Sequence, residues 1–195
     1  MKKVRTHLED RVLPSYTKGE EIFNMVSHIA GGALAIAALV LCVIFAVIHT
    51  DAWGVVGAAI YGSTMVVLYA MSSIYHGLKP EMPKKVFQVI DHCTIYFLIA
   101  GTYTPVSFAL EPFWRNSIIA GMWICTTVAL IIHVIWISAP RWLYVIVYII
   151  FGVSGVAFMG LFWISPYAGP AVVVLLAAGG ACYIAGAIVY ALRKP

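Results

Sequence analysis

Six long apolar runs, separated by short polar gaps, dominate the chain. At about 20 residues per bilayer crossing, they predict six membrane-spanning helices at residues 22–48, 53–78, 86–110, 117–138, 142–164 and 170–192. The gaps are so short that neighbours in sequence are expected to be antiparallel neighbours in space. The pattern predicts an all-α integral membrane helical bundle over residues 22–192, preceded by an amino-terminal segment of residues 1–21. Thr17-Lys18-Gly19-Glu20 has the form of a capping box, so the first helix should begin just before the membrane. Small residues at four-residue spacing, Gly31/Ala35, Ala58/Gly62 and Ala181/Ala185, predict close helix contacts. Pro105 predicts a bend in the third helix, with the hydroxyls of Thr102 and Thr104 available to the disturbed backbone.

Composition narrows the class further. Of the 195 residues, 63% are hydrophobic and 10% charged, against about half and a quarter in a soluble domain. That excludes a soluble enzyme, a nucleic-acid binder and a disordered tail. The first run is too long for a signal-peptide core of about 7–15 residues, so it reads as a retained span. Cys42, Cys93, Cys125 and Cys182 lie inside apolar runs with no CxxC pair, and they read as buried small hydrophobes rather than disulfide partners.

The net charge of +4 matters through its placement. Eleven of the twelve basic residues fall on one side of the predicted topology: Lys2, Lys3, Arg5, Arg11, Lys18, Lys79, Lys84, Lys85, Arg141, Arg193 and Lys194. Arg115 alone falls on the other. The positive-inside rule then places both termini in the cytoplasm of a multi-pass cell-membrane protein. Trp53, Trp114, Trp136, Trp142 and Trp163 fall near span ends, as an aromatic belt would.

Ionisable residues inside the spans are costly in lipid and point to function. Glu21, Asn24 and His28 share one face of the first helix, and Ser72 and His76 share one face of the second. Asp91 and His92 come early in the third, and His133 near the inner end of the fourth. Four histidines and a carboxylate thus gather in the inner leaflet, while the outer halves of the spans hold no ionised side chain. This predicts a polar cavity open toward the cytoplasm. Imidazole and carboxylate suit zinc, and a neighbouring Ser and Asp can orient a water or accept its proton.

Plainer readings compete. His28 can bond Asn24 or Ser27 within a helix interface. His92 can face the lipid headgroups, His133 can be a structural core residue, and Asp91 can be a first-turn carboxylate on a positive helix end.

The run Glu21-Ile22-Phe23-Asn24-Met25-Val26-Ser27-His28, then Ser72-Ser73-Ile74-Tyr75-His76, then the fifteen residues from Asp91-His92-Cys93-Thr94 to Tyr103-Thr104-Pro105 resemble bacterial haemolysin III. This is the bacterial branch of the progestin and adipoQ receptor family. The resemblance implies a seven-helix bundle with a cytoplasmic amino terminus, inverted relative to G-protein-coupled receptors. It implies a zinc site like that of the adiponectin receptors, with His76 as a ligand, Ser72 one turn before it and Asp91 positioning the zinc-bound water. The family's two other ligands form a His-xxx-His motif on a seventh helix. This sequence ends at Lys194-Pro195 after six spans, and Arg193-Lys194-Pro195 looks like the opening of a loop toward a further helix. His28, His92 or His133 would have to substitute as ligands, so this chain is expected to hold zinc weakly or not at all.

Three functions compete at this stage. The first is a metal-dependent hydrolase of a lipid amide or ester, working through Ser72, His76 and Asp91. The second is a pore or cytolysin, which calls for a polar stripe through the full depth of the bundle. The third is a non-enzymatic modulator of membrane state. In each case the expected partners are membrane lipids, as substrate or ligand, and not nucleic acid.

Overall fold

A computed structural model describes residues 7–136 and 141–192. The chain folds as α1 (Lys18–His49), α2 (Ala52–Gly77), α3 (Glu81–Ser107), α4 (Pro112–Ile135), α5 (Arg141–Val153), α6 (Met159–Ile164) and α7 (Gly169–Leu192), with a 3-10 turn at Ser154–Phe158 joining α5 to α6. No strand occurs among the described residues. Five segments are long and apolar enough to cross a membrane: α1, α2, α4, residues 143–164, and α7 up to Gly186. The predicted all-α membrane bundle is therefore the observed architecture. Lys2, Lys3, Arg5, Ser138, Arg193, Lys194 and Pro195 lie outside the described residues.

Local chemistry sets the helix starts. The Thr17 amide donates to Glu20 Oε2 at 2.6 Å and the Glu20 amide to Thr17 Oγ1 at 3.2 Å, completing the expected capping box. Asp51 caps α2 by accepting from the Gly54 amide at 3.0 Å. Pro112 opens α4, at a position where its missing N–H costs nothing.

Helix α3 is the sixth long helix, and it sits at the centre of the bundle. It packs on α2, α4 and α5, and its buried residues include Lys85, Gln88, Thr94, Tyr96, Ala100 and Thr104. A helix shielded by neighbours has no need of the lipid-compatible surface that marks the other five.

Two apolar clusters hold the bundle. One joins Ile99 and Ala100 of α3 to Ile118 and Met122 of α4 and to Phe162 of α6. The other joins Tyr96, Ala129, Tyr144 and Tyr148. Tyrosine hydroxyls tie the later helices in: Tyr148 donates to the His92 carbonyl at 3.0 Å and Tyr183 to the Tyr148 carbonyl at 3.0 Å.

Four expectations change. The fifth span is not one helix but α5, a 3-10 turn and α6. Ser154 Oγ donates to the Phe151 carbonyl at 2.6 Å, and the Tyr103 hydroxyl also reaches this stretch, 3.0 Å from Ser154 Oγ. Side-chain bonding of this kind competes with the backbone ladder. Ala181 and Ala185 are exposed rather than packed in an interface. The cysteines are not buried as expected: Cys125 of α4 and Cys182 of α7 are exposed, and Cys42 and Cys93 are only partly buried.

Pro105 lies inside α3, two residues from its end. Thr102 and Thr104 donate to the Leu98 and Ala100 carbonyls, both at 2.8 Å. Finally, α3 begins five residues earlier than the predicted span, at Glu81: Glu81, Met82 and Pro83 are exposed, and Lys84 and Lys85 are paired with Glu21 and Glu81.

Candidate functional site

A cavity of about 460 Å³ opens at the amino-terminal end of the bundle. Its walls come from α1 (Asn24, His28), α2 (Leu68, Ser72, Tyr75, His76), α3 (Gln88, Asp91, His92, Ile95), α5 (Val145, Tyr148) and α7 (Cys182, Tyr183, Gly186). Pro14 and Tyr16 complete it from the segment preceding α1.

His76 is the most tightly held of the candidate residues. Its Nδ1–H donates to Glu21 Oε2 at 2.7 Å, and the other oxygen of Glu21 pairs with Lys84 Nζ at 2.8 Å. These side chains come from α2, α1 and α3, so one carboxylate ties three helices. All three are largely buried. A partly buried carboxylate bonded at both oxygens offsets its lost hydration through two charge-assisted bonds. With Nδ1 engaged, Nε2 is the ring nitrogen left for other chemistry.

Ser72, one turn before His76, is buried and interacts with the Asp91 carboxylate, which also feels His76. Asp91 stands in the third turn of α3, because the helix begins at Glu81. The attraction of a helix end fades within its first turn, so the first-turn reading of Asp91 loses its basis.

His28 also faces the cavity. Its ring lies 6.0 Å from that of His76 and 5.7 Å from Tyr69, both edge-on. Its Nδ1 is buried and finds no hydrogen-bond partner among the described residues, while Ser27 Oγ donates instead to the Asn24 carbonyl. His92 lines the cavity rather than facing headgroups. His133 does not reach it. That ring is fully buried, 4.2 Å from Tyr144, 5.8 Å from His92 and 6.1 Å from Tyr96.

Neither ring nitrogen of His133 has a hydrogen-bond partner among the described residues.

The described residues do not by themselves make up a zinc site. Among the described residues no three His, Cys, Asp or Glu side chains converge as a metal-binding group, and a catalytic zinc takes three protein ligands. His76 offers one imidazole nitrogen, its Nδ1 being bonded to Glu21.

The sequence pattern pointed to Ser72, His76 and Asp91 but not to Gln88 or Arg11. Arg11 Nε donates to Gln88 Oε1 at 2.5 Å, and Gln88 Nε2 donates to the Tyr75 hydroxyl at 3.3 Å. Burial pulls the Arg11 guanidinium below its ordinary value, though arginine remains charged. Gln88 precedes Asp91 by three residues, on the same helix face. That spacing was the available signal. Nothing in the sequence links Arg11 to a residue 77 positions away.

A family model described as Haemolysin-III related matches residues 16–195. The chain belongs to the haemolysin-III related family. It is 33% identical over 183 residues to the Hemolysin-3 homolog of Bacillus subtilis (strain 168), covering 92% of this chain and 84% of that protein. It is 43% identical over 86 residues to Hemolysin-3 of Bacillus cereus, covering 44% of this chain and 39% of that protein. No solved structure gives a significant match. With five helices fit to cross a bilayer, this member of the haemolysin-III related family is a multi-pass membrane protein.

Proposed function

We propose that the cavity is the hydrolytic site of a membrane enzyme that cleaves a lipid amide or ester, with the polar end of the bundle in the cytoplasm of a cell whose plasma membrane it spans. The observation that carries this reading is the convergence of Ser72, His76 and Asp91 on one cavity. Asp91 accepts the proton of a water that attacks the carbonyl carbon and returns it to the amine or alcohol that leaves as the C–N or C–O bond breaks, and Ser72 holds the carboxylate in place. His76, fixed by Glu21 through Nδ1, presents Nε2 to the reacting group.

The relatives' printed names suggest lysis of blood cells. A lytic pore needs a polar path through the whole bundle. The far end here is closed by the apolar cluster of Ile99, Leu110, Ile118, Met122 and Phe162, which favours a one-ended site.

The test is turnover of a fluorescent lipid amide and a fluorescent phospholipid ester by the purified protein in nanodiscs. Asp91→Asn should lower the rate about 100-fold or more, the range for a lost general base. Ser72→Ala should lower it about tenfold, as expected for an orienting neighbour. No turnover of either lipid by the unmodified chain, or an Asp91→Asn rate within about twofold of it, would defeat the proposal.

A further inference from the structure

Residues 7–17 are not a free tail. After a short 3-10 turn at Leu8–Asp10, the chain runs without regular structure from Arg11 to Thr17, where α1 is capped. At one end the segment is fastened to α3: Lys85 Nζ donates to the Glu9 carbonyl at 2.8 Å, and Arg11 Nε donates to Gln88 Oε1 at 2.5 Å. Lys85 and Gln88 are both buried. At the other end it is continuous with α1. Between these anchors it passes the end of α2, where the Tyr16 ring stands 5.7 Å from the His76 ring, edge-on, and where Pro14 and Tyr16 line the cavity. The segment therefore bridges the mouth of the cavity from α3 to α1.

What fastens it is polar. Val12, in the middle, is 88% exposed and Tyr16 more than a third exposed, while Leu8, Leu13 and Pro14 are only partly buried, so the polar bonds at the α3 end are the specific hold. Hydrogen bonds to Gln88 and Lys85 can be exchanged for water at modest cost. Releasing Arg11 and the Glu9 carbonyl would free the segment at its α3 end while Thr17 keeps it attached to α1. Elements held this way open at free energies well below that of global unfolding.

We propose that residues 7–17 are a strap across the cavity mouth, latched by Arg11 on Gln88 and by Lys85 on the Glu9 carbonyl, and that its release controls the access of water and solutes to Ser72, His76 and Asp91. The strap governs entry, and it does so whatever reaction the cavity performs.

Access can be measured without any substrate. Leu68 lines the cavity on α2, one turn deeper than Ser72. In a background lacking the four native cysteines, Leu68→Cys is treated with a charged, membrane-impermeant methanethiosulfonate reagent in nanodiscs. With the strap intact the reaction should be slow. Arg11→Ala should speed it about tenfold, the factor that one lost charge-assisted hydrogen bond makes in an opening equilibrium. Lys85→Gln should act in the same direction, and Arg11→Lys should fall between.

A spin label at Val12→Cys, in the same cysteine-free background, reports the strap itself. Its spectrum should be ordered in the otherwise unmodified chain and mobile with Arg11→Ala. Asp51→Cys, at the far end of α2, should react at one rate in all these backgrounds.

Two results would overturn the strap: a Leu68→Cys rate unmoved by both Arg11→Ala and Lys85→Gln, or a mobile Val12 label with Arg11 in place. If Arg11→Ala also raises Asp51→Cys reactivity, the variant has loosened the fold. Lys85→Gln and the Val12 label in the otherwise unmodified chain then decide.

Discussion

Gly62 on α2 faces α1 so closely that an added Cβ would stand 2.8 Å from the Leu39 backbone Cα and 2.4 Å from its Cδ1. Gly31 on α1 is as tight, with Tyr69 of α2 at 2.6 Å. On α7 the position is reversed: at Gly179, Gly180 and Gly186 an added Cβ would meet nothing within 4 Å. The same residue type does two jobs in one bundle. In α1 and α2 glycine lets backbones approach, and that approach brings Glu21 of α1 within bonding distance of His76 on α2. In α7 glycine marks an open surface. The site is thus built from the tightly packed helices, with α7 adding only wall.

The contrast between the two ends of the bundle is tested most sharply by sidedness. Asp51 caps α2 at the end away from the cavity, and Lys79 is exposed beside its mouth. Labelling of intact cells with an impermeant thiol reagent should modify Asp51→Cys and spare Lys79→Cys, an all-or-none difference. The reverse pattern would put the polar cavity outside the cell and end the proposal of a cytoplasm-facing site.

Next in size is the packing contrast. Gly62→Ala has no room, since the nearest atoms include backbone, and should cost about 1–3 kcal/mol, the usual penalty of overpacking. Gly180→Ala meets open space in the interior of α7 and should be neutral or stabilise by up to about 1 kcal/mol through helix propensity. Unfolding midpoints of the two variants in one detergent measure both. Equal effects would show that α1 and α2 are no more tightly packed than α7.

Most of the fold was legible because membrane burial leaves a coarse signal: long apolar runs, basic residues between them and a capping box at Thr17. The limits came from protein shielding protein. The first turn of α3 reads as a polar gap because its Lys84 and Lys85 find their partners, Glu21 and the Glu9 carbonyl, in distant parts of the chain. The break after Val153 depends on Tyr103 of α3 and on a serine bonding its own backbone, neither of which disturbs hydropathy. At the site, helical spacing put Ser72 beside His76 and Glu21 beside His28. The Glu21–His76 pair is a contact between helices, 55 residues apart in sequence, and no spacing rule reaches that far.

The smallest expected effect comes from the two histidines that face different surroundings. His76 is bonded to Glu21, which is bonded in turn to Lys84. His133 is fully buried, and neither of its nitrogens has a partner among the described residues. Removing one member of a buried bonded pair leaves the other unsatisfied, whereas replacing an unpartnered polar ring by an apolar one of similar shape removes a penalty. His76→Phe should therefore lower stability by about 2 kcal/mol by leaving Glu21 Oε2 without its bond while Oε1 keeps Lys84. His133→Phe keeps the ring stacked near Tyr144 and Tyr96 and should raise stability by about 1 kcal/mol. Thermal unfolding in a single detergent ranks the two against the unmodified chain. A loss from His133→Phe as large as that from His76→Phe would mean that His133 bonds a water or ligand in the folded protein, and would move it from packing residue to second site.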